Sequence, residues 1–207
     1  MGQGNIDEGV PMSTVRYILA VLLVVGLPPG LLMWFIVHPF VGFWRGLGIR
    51  VSLVTNAAVM VASAVCLWFL RVSLLGLDLG TNWPLVGLGL ALGVVAIRMG
   101  FAHRKYLTFR ILVGVPEFAS AEGEQGALLT EGPYERIRHP RYMEIMTWTF
   151  AYAFIANFVG VYILTLATIP LVHLIVLMEE RELRNRFGEE YGSYAARVPR
   201  YFPRMRL

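Results

Sequence analysis

Four long apolar runs, one of them double, limit what this chain can fold into. A helix needs about 20 apolar residues to cross a bilayer, with about 17–25 as the working range. Tyr17–Val37, Val51–Leu70 and Trp83–Phe101 each meet that length, and Ile145–Met178 is long enough for two shorter helices. Ala156, Asn157, Phe158 and Gly160 mark the turn between those two. Pro28 and Pro29 predict a kink in the first run, because proline removes a backbone donor and crowds the preceding turn. The second run is interrupted only by Ser52, Thr55, Asn56 and Ser63. The pattern predicts an all-α integral membrane protein with five transmembrane helices, forming a single membrane domain over residues 1–207.

Composition excludes the soluble alternative. The chain is 57% hydrophobic and 15% charged, whereas soluble domains run near 45–50% apolar and about 25% charged. The single cysteine, Cys66, sits in an apolar run and reads as a small hydrophobe. The first run lacks a strongly basic leader and a small-residue cleavage site, so it is expected to be retained.

Basic residues orient the spans, since Lys and Arg collect on the cytoplasmic side. His103–Tyr142 carries Arg104, Lys105, Arg110, Arg136, Arg138 and Arg141. The tail after Met178 carries Arg181, Arg184, Arg186, Arg197, Arg200, Arg204 and Arg206. A helical hairpin puts these segments on one side. The expected topology therefore has the N-terminus outside and the C-terminus cytosolic. A net charge of +4 follows from this flanking and from anionic lipid, and it implies no nucleic-acid partner. Gly87, Gly89 and Gly93 lie inside the third run, where small residues let membrane helices approach closely. Ala119–Gly126 reads as a flexible cytosolic loop.

Chemistry concentrates in Gly132–Tyr142. Polar and ionisable groups held against a bilayer are costly and point to function. The residue before proline is pushed out of the helical region, so His139 ends an extended approach and Pro140 opens the fourth helix. Free amides at that helix start, with Arg138, His139 and Arg141, suit an anionic group. Across the hairpin stand Glu179 and Glu180. They are either ion-paired to neighbouring arginines, or one of them binds a ligand ammonium while the other holds hydroxyls or an arginine. Leu183, Phe187, Tyr191, Tyr194 and Val198 then recur at helical spacing. They predict a cytosolic amphipathic helix, broken near Gly188, that lies over the membrane face and lids the site. Glu144 is one turn from the interface and within reach of a ligand. His38 and His103 read as interfacial, and His173 as a hydrogen-bonded interior residue. No histidine pair has a metal-ligand spacing, so no metal is expected.

Three segments resemble the isoprenylcysteine carboxyl methyltransferase family, which is related to membrane phospholipid N-methyltransferases. They are Leu-Leu-Thr-Glu-Gly-Pro-Tyr-Glu-Arg-Ile-Arg-His-Pro-Arg-Tyr (128–142), Glu-Glu-Arg-Glu-Leu (179–183) and the Phe-Gly-Glu-Glu-Tyr…Arg-Val-Pro-Arg stretch (187–200). The resemblance implies S-adenosylmethionine as cofactor, with the C-terminal part, 103–207, carrying the cofactor and catalytic site. It implies cofactor-binding roles for Tyr134, His139, Tyr142, Glu179 and Glu180, which Arg138 joins by its charge at the helix start, and a role in catalysis for Arg197. The chain departs from the family at Glu144, where glycine is usual, and before the Glu pair, where Val176, Leu177 and Met178 replace an arginine. An amine or thiol acceptor must lose a proton, and Glu144, Glu180 or His139 is then the candidate base. The expected activity is methyl transfer at the cytosolic membrane face to a lipidic or small hydrophobic acceptor, isoprenylcysteine-like or a thiol. The rival readings are a nicotinamide-dependent membrane reductase of sterol-reductase type and a non-catalytic membrane subunit.

Overall fold

The computed structural model describes residues 10–119 and 126–204. In chain order the helices are α1 (Met12–Val37), α2 (Val41–Leu47), α3 (Ile49–Leu75), α4 (Trp83–His103), the single-turn α5 (Phe109–Leu112) and α6 (Val115–Phe118), α7 (Pro140–Ala156) and α8 (Val159–Arg197). Short 3-10 turns at His38–Phe40 and Gly132–Glu135 join α1 to α2 and precede α7. The described residues contain no strand, only an isolated bridge between Asp78 and Phe158. Residues 120–125 of the expected Ala119–Gly126 loop lie outside the described residues.

Among the described residues, four stretches are long and apolar enough to cross a membrane: Met12–Leu47, Ile49–Leu75, Trp83–His103 and Val159–Arg197. The chain is a multi-pass integral membrane protein. The remaining hairpin helix, α7, has 17 residues, a rise of about 25 Å against about 30 Å of hydrocarbon. Pro28 and Pro29 lie within α1, which remains one continuous helical element. Cys66 is exposed on α3, a peripheral helix only 6% buried by the rest of the protein over its most apolar stretch.

Helix α1 wedges against the hairpin made by α7 and α8. Ala20, Val21, Leu23 and Val24 meet Ala153, Ala156, Phe158 and Val161 at one end. Leu31 meets Tyr142, Val172, Ile175 and Val176 at the other. Helix α4 lies on α7 through glycine contacts. A Cβ on Gly89 would sit 2.6 Å from Ile155 Cγ1 and 2.8 Å from the Ala151 oxygen. One on Gly100 would sit 2.9 Å from Glu144 Oε1. The close packing read from the glycine run is therefore real at Gly89, while Gly87 has open space around it.

The hairpin turn forms where the sequence marks it. Asn157 takes the left-handed conformation (φ 56°) that ends α7. A buried knot seals this end. Arg16 Nε donates to the Ala156 oxygen (3.0 Å) and its guanidinium pairs with Asp78. Asn157 Nδ2 donates to the Gly80 oxygen at 2.9 Å. At the opposite end α8 continues past Met178 and breaks at Gly188 (φ 52°). Beyond the break, Tyr191, Tyr194 and Val198 pack with Leu128, Leu183 and Phe187.

Candidate functional site

The approach to α7 is stitched to the end of the chain. Arg138 N–H donates to the Pro199 oxygen (2.8 Å) and His139 N–H to the Arg200 oxygen (3.1 Å). His139 precedes the helix and Pro140 is its first residue, as the His-Pro step predicts. This places Arg138, His139 and Arg200 around Glu180, a side chain that is only 3% exposed. Its carboxylate receives Arg138 Nη2 at 2.6 Å, lies 3.1 Å from His139 Nε2, and takes both Arg200 Nε and Nη2 at 2.9 Å. A buried carboxylate is stable only when its lone pairs are filled in this way.

Its neighbour Glu179 is different. The adjacent position turns it toward a cavity of about 230 Å³ enclosed by the start of α7, the lower part of α8, the α5–α6 segment and the end of α1. Of the sequence candidates, Tyr134, Arg138, His139, Tyr142 and Glu179 all line this cavity. Glu180 stands behind the wall. Trp34, His38 and Glu117 also line it, and their contribution was not foreseen; Tyr191, from the segment expected to lid the site, lines it too. Several of these side chains keep a buried polar atom without a hydrogen-bond partner among the described residues: both ring nitrogens of His38, Glu117 Oε2, Arg138 Nε, Glu179 Oε2 and the Tyr191 hydroxyl. His139 Nδ1 lies 3.8 Å from Glu179 Oε2, too far to satisfy it. Buried polar atoms are normally paired, so such a cluster is a site prepared for a polar guest.

Two groups outside the spans are electrostatically tuned. Burial pushes the Glu117 carboxyl up to about 7, against the opposing pull of the Arg186 guanidinium. Burial also pushes the Tyr134 hydroxyl well above its ordinary value. Tyr134 is held by a 3-10 turn whose Gly132 has φ 61°; a side chain there would run into Tyr106 at 2.5 Å. The Tyr194 hydroxyl donates to the Tyr134 oxygen at 2.7 Å, which ties the last part of α8 over the cavity.

Glu144 is buried on the far side of α7. Its Oε2 lies 2.7 Å from His103 Nε2 and accepts from Arg141 Nη1 at 2.6 Å. It faces a shallow hollow with Gly100, Phe101 and Trp148, and its partner Arg141 lines the main cavity. Both histidines read as interfacial are buried. His173 does hydrogen-bond, its Nδ1 lying 2.8 Å from the Tyr201 hydroxyl, but on an exposed face. Arg197 is exposed in the last turn of α8 and donates only to the Ser193 oxygen at 3.3 Å. It is not brought to the cavity, and Arg200, three residues later, makes the buried contact. The Arg-Val-Pro-Arg string contained the signal for this, since the chain turns at Pro199.

Protein-S-isoprenylcysteine O-methyltransferase of Schizosaccharomyces pombe (strain 972 / ATCC 24843) is 29% identical over 86 residues. The match covers 41% of this chain and 36% of that enzyme. No solved structure matches the chain. The phospholipid methyltransferase family matches residues 85–190, a span that includes Tyr134, His139 and the Glu179–Glu180 pair, and the chain belongs to that family.

Proposed function

We propose that this chain is an S-adenosylmethionine-dependent methyltransferase acting at the cytosolic membrane face on a lipidic or thiol-bearing acceptor. The observation that carries the reading is the set of unpaired buried polar atoms around one cavity. When bound, the cofactor supplies a methyl group on a cationic sulfonium. Glu179 suits its ammonium, and Arg138 with His139 suits its carboxylate. Tyr134, Tyr142 and Tyr191 offer ring faces and a hydroxyl to the nucleoside. Glu180 fixes Arg138 and His139 from behind. Glu144 acts through Arg141, whose guanidinium it steadies at the cavity wall. Arg200, not Arg197, is the anchoring arginine. Holding acceptor and methyl group in line, away from water, accounts for most of the catalysis such a site needs.

The hollow by Glu144 and Trp148 is the acceptor's route from the bilayer. The topology has five crossings, α7 being the short one, with local bilayer thinning making up its length. The N-terminus is outside and the C-terminus cytosolic. Membership of a methyltransferase family favours this reading over a nicotinamide-dependent reductase or a non-catalytic subunit. Calorimetry on the purified protein tests it. S-adenosylmethionine binds and NADPH does not; binding of NADPH alone, or of neither, overturns the proposal.

A further inference from the structure

The cavity has two unlike walls. One wall, formed by α7, α8 and the segment leading into α7, carries every residue assigned above to the cofactor: Tyr134, Arg138 and His139 before the helix, Tyr142 on α7, and Glu179 and Tyr191 on α8. The opposite wall comes from the end of α1 and from α5–α6, and no cofactor role is assigned to it. Its polar groups are His38 and Glu117. His38 is 6% exposed, lines the cavity, and has neither ring nitrogen hydrogen-bonded among the described residues. Trp34, one turn earlier on α1, stacks on the imidazole with ring centroids 5.0 Å apart and planes 18° apart. That stack fixes the ring plane while leaving both nitrogens open. The charged groups facing it are Glu179, Glu182 and Arg186 on α8, with His139 at the head of α7. Glu117 on α6 shares its wall. The rest of the wall is apolar, with Leu107, Ile111 and Leu112. Trp34 and His38 also lie outside the family match at 85–190.

We propose that His38 is the base that takes the proton from the methyl acceptor, and that the accepting atom is a protic sulfur or nitrogen rather than a carboxylate oxygen. The inference rests on the S-adenosylmethionine reading. A carboxylate is already deprotonated at neutral pH and needs no base, so an open imidazole beside it would have no task. A thiol or an alkylammonium must lose a proton before it attacks. In the step, the acceptor S–H or N–H bond breaks, its electrons stay on sulfur or nitrogen, and the proton goes to a ring nitrogen of His38. That electron pair forms the bond to the methyl carbon. The old carbon–sulfur bond breaks with its pair on the departing sulfur, which leaves as a neutral thioether. The proton passes from His38 to water before the next turnover. The apolar residues of the wall suit an acceptor with a hydrophobic body.

The test uses the purified full-length protein with labelled S-adenosylmethionine and three acceptors: a hydrophobic thiol, a hydrophobic amine and an S-prenylcysteine carboxylate. His38→Gln keeps its calorimetric affinity for S-adenosylmethionine and slows transfer to the thiol or the amine by about 10²-fold or more, the usual contribution of a general base. The variant recovers as the pH rises toward the acceptor's own pKa. The thiol and amine arms say which atom is methylated. Wild-type transfer to the carboxylate alone, or undiminished transfer by His38→Gln, overturns the proposal. Should the variant fold poorly, wild-type protein decides the matter with two thiols of different acidity. An inflection at the same pH for both supports His38, and one that follows each thiol's pKa sinks it. Failure of wild-type protein to bind S-adenosylmethionine would instead overturn the cofactor reading on which this inference stands.

Discussion

Arg200 grips Glu180 with two hydrogen bonds of 2.9 Å each, across twenty residues of sequence. The pair joins the end of the chain to the foot of the hairpin. It also divides the labour of two adjacent acids, one bound internally and one facing the cavity.

That division predicts opposite phenotypes for neighbouring substitutions. Glu180→Gln removes the charge that pairs Arg138 and Arg200 and costs about 3 kcal/mol of stability. Its thermal midpoint in detergent falls accordingly. Glu179→Gln leaves the midpoint near wild type and weakens S-adenosylmethionine about tenfold, the worth of one charge-assisted contact. Equal loss of midpoint in both variants would contradict the assignment.

Close backbone approach makes Gly160 irreplaceable. A Cβ there would lie 1.7 Å from the Leu74 carbonyl oxygen, whereas one on Gly87 would meet nothing within 4 Å. Gly160→Ala should destabilise by about 1–3 kcal/mol through overpacking, and Gly87→Ala should stay within about 0.5 kcal/mol. Denaturation of both variants in mixed micelles checks the contrast.

Glu117 makes stability depend on pH. Its carboxyl is raised from 4.5 to about 7 by burial, so between those values the folded state holds a proton that the unfolded state has released. Its stabilising contribution is full below the unfolded value and is lost as pH rises through about 7. Glu117→Gln keeps a neutral side chain throughout. The thermal midpoint of the variant should therefore gain on wild type between acidic and mildly alkaline buffer. A difference that stays constant across that range would refute the assignment.

Reporter fusions at the two ends check the topology. An external N-terminus and a cytosolic C-terminus give opposite signals, and the same signal from both would remove α7 from the count of crossings.

Local signals made much of the molecule legible. Asn157 and Gly160 announced the hairpin, His139-Pro140 the start of α7, and Gly188 the break in α8. Each imposes its conformation on its own few residues. Tyr134, His139 and Glu179 could be paired from sequence because one hairpin joins their segments. His38 could not. A histidine between an apolar run and Pro39 looks the same whether it anchors at an interface or points into a cavity, and only the packing of α1 on α8 decides. Glu117 was hidden for the same reason. Arg197 and Arg200 are equivalent in composition, and the chain's turn at Pro199 selects between them.

Arg16 constrains how the protein is assembled. Its side chain is 3% exposed and is neutralised by Asp78, while its other partners are the carbonyls that end α7. The ribosome delivers α1 long before Asp78 or Ala156 exists. Until they arrive, this guanidinium must stay hydrated at the membrane border, so α1 cannot settle to its final depth on its own. The final seating of α1 therefore depends on the α7–α8 turn, which supplies the carbonyls that its guanidinium needs.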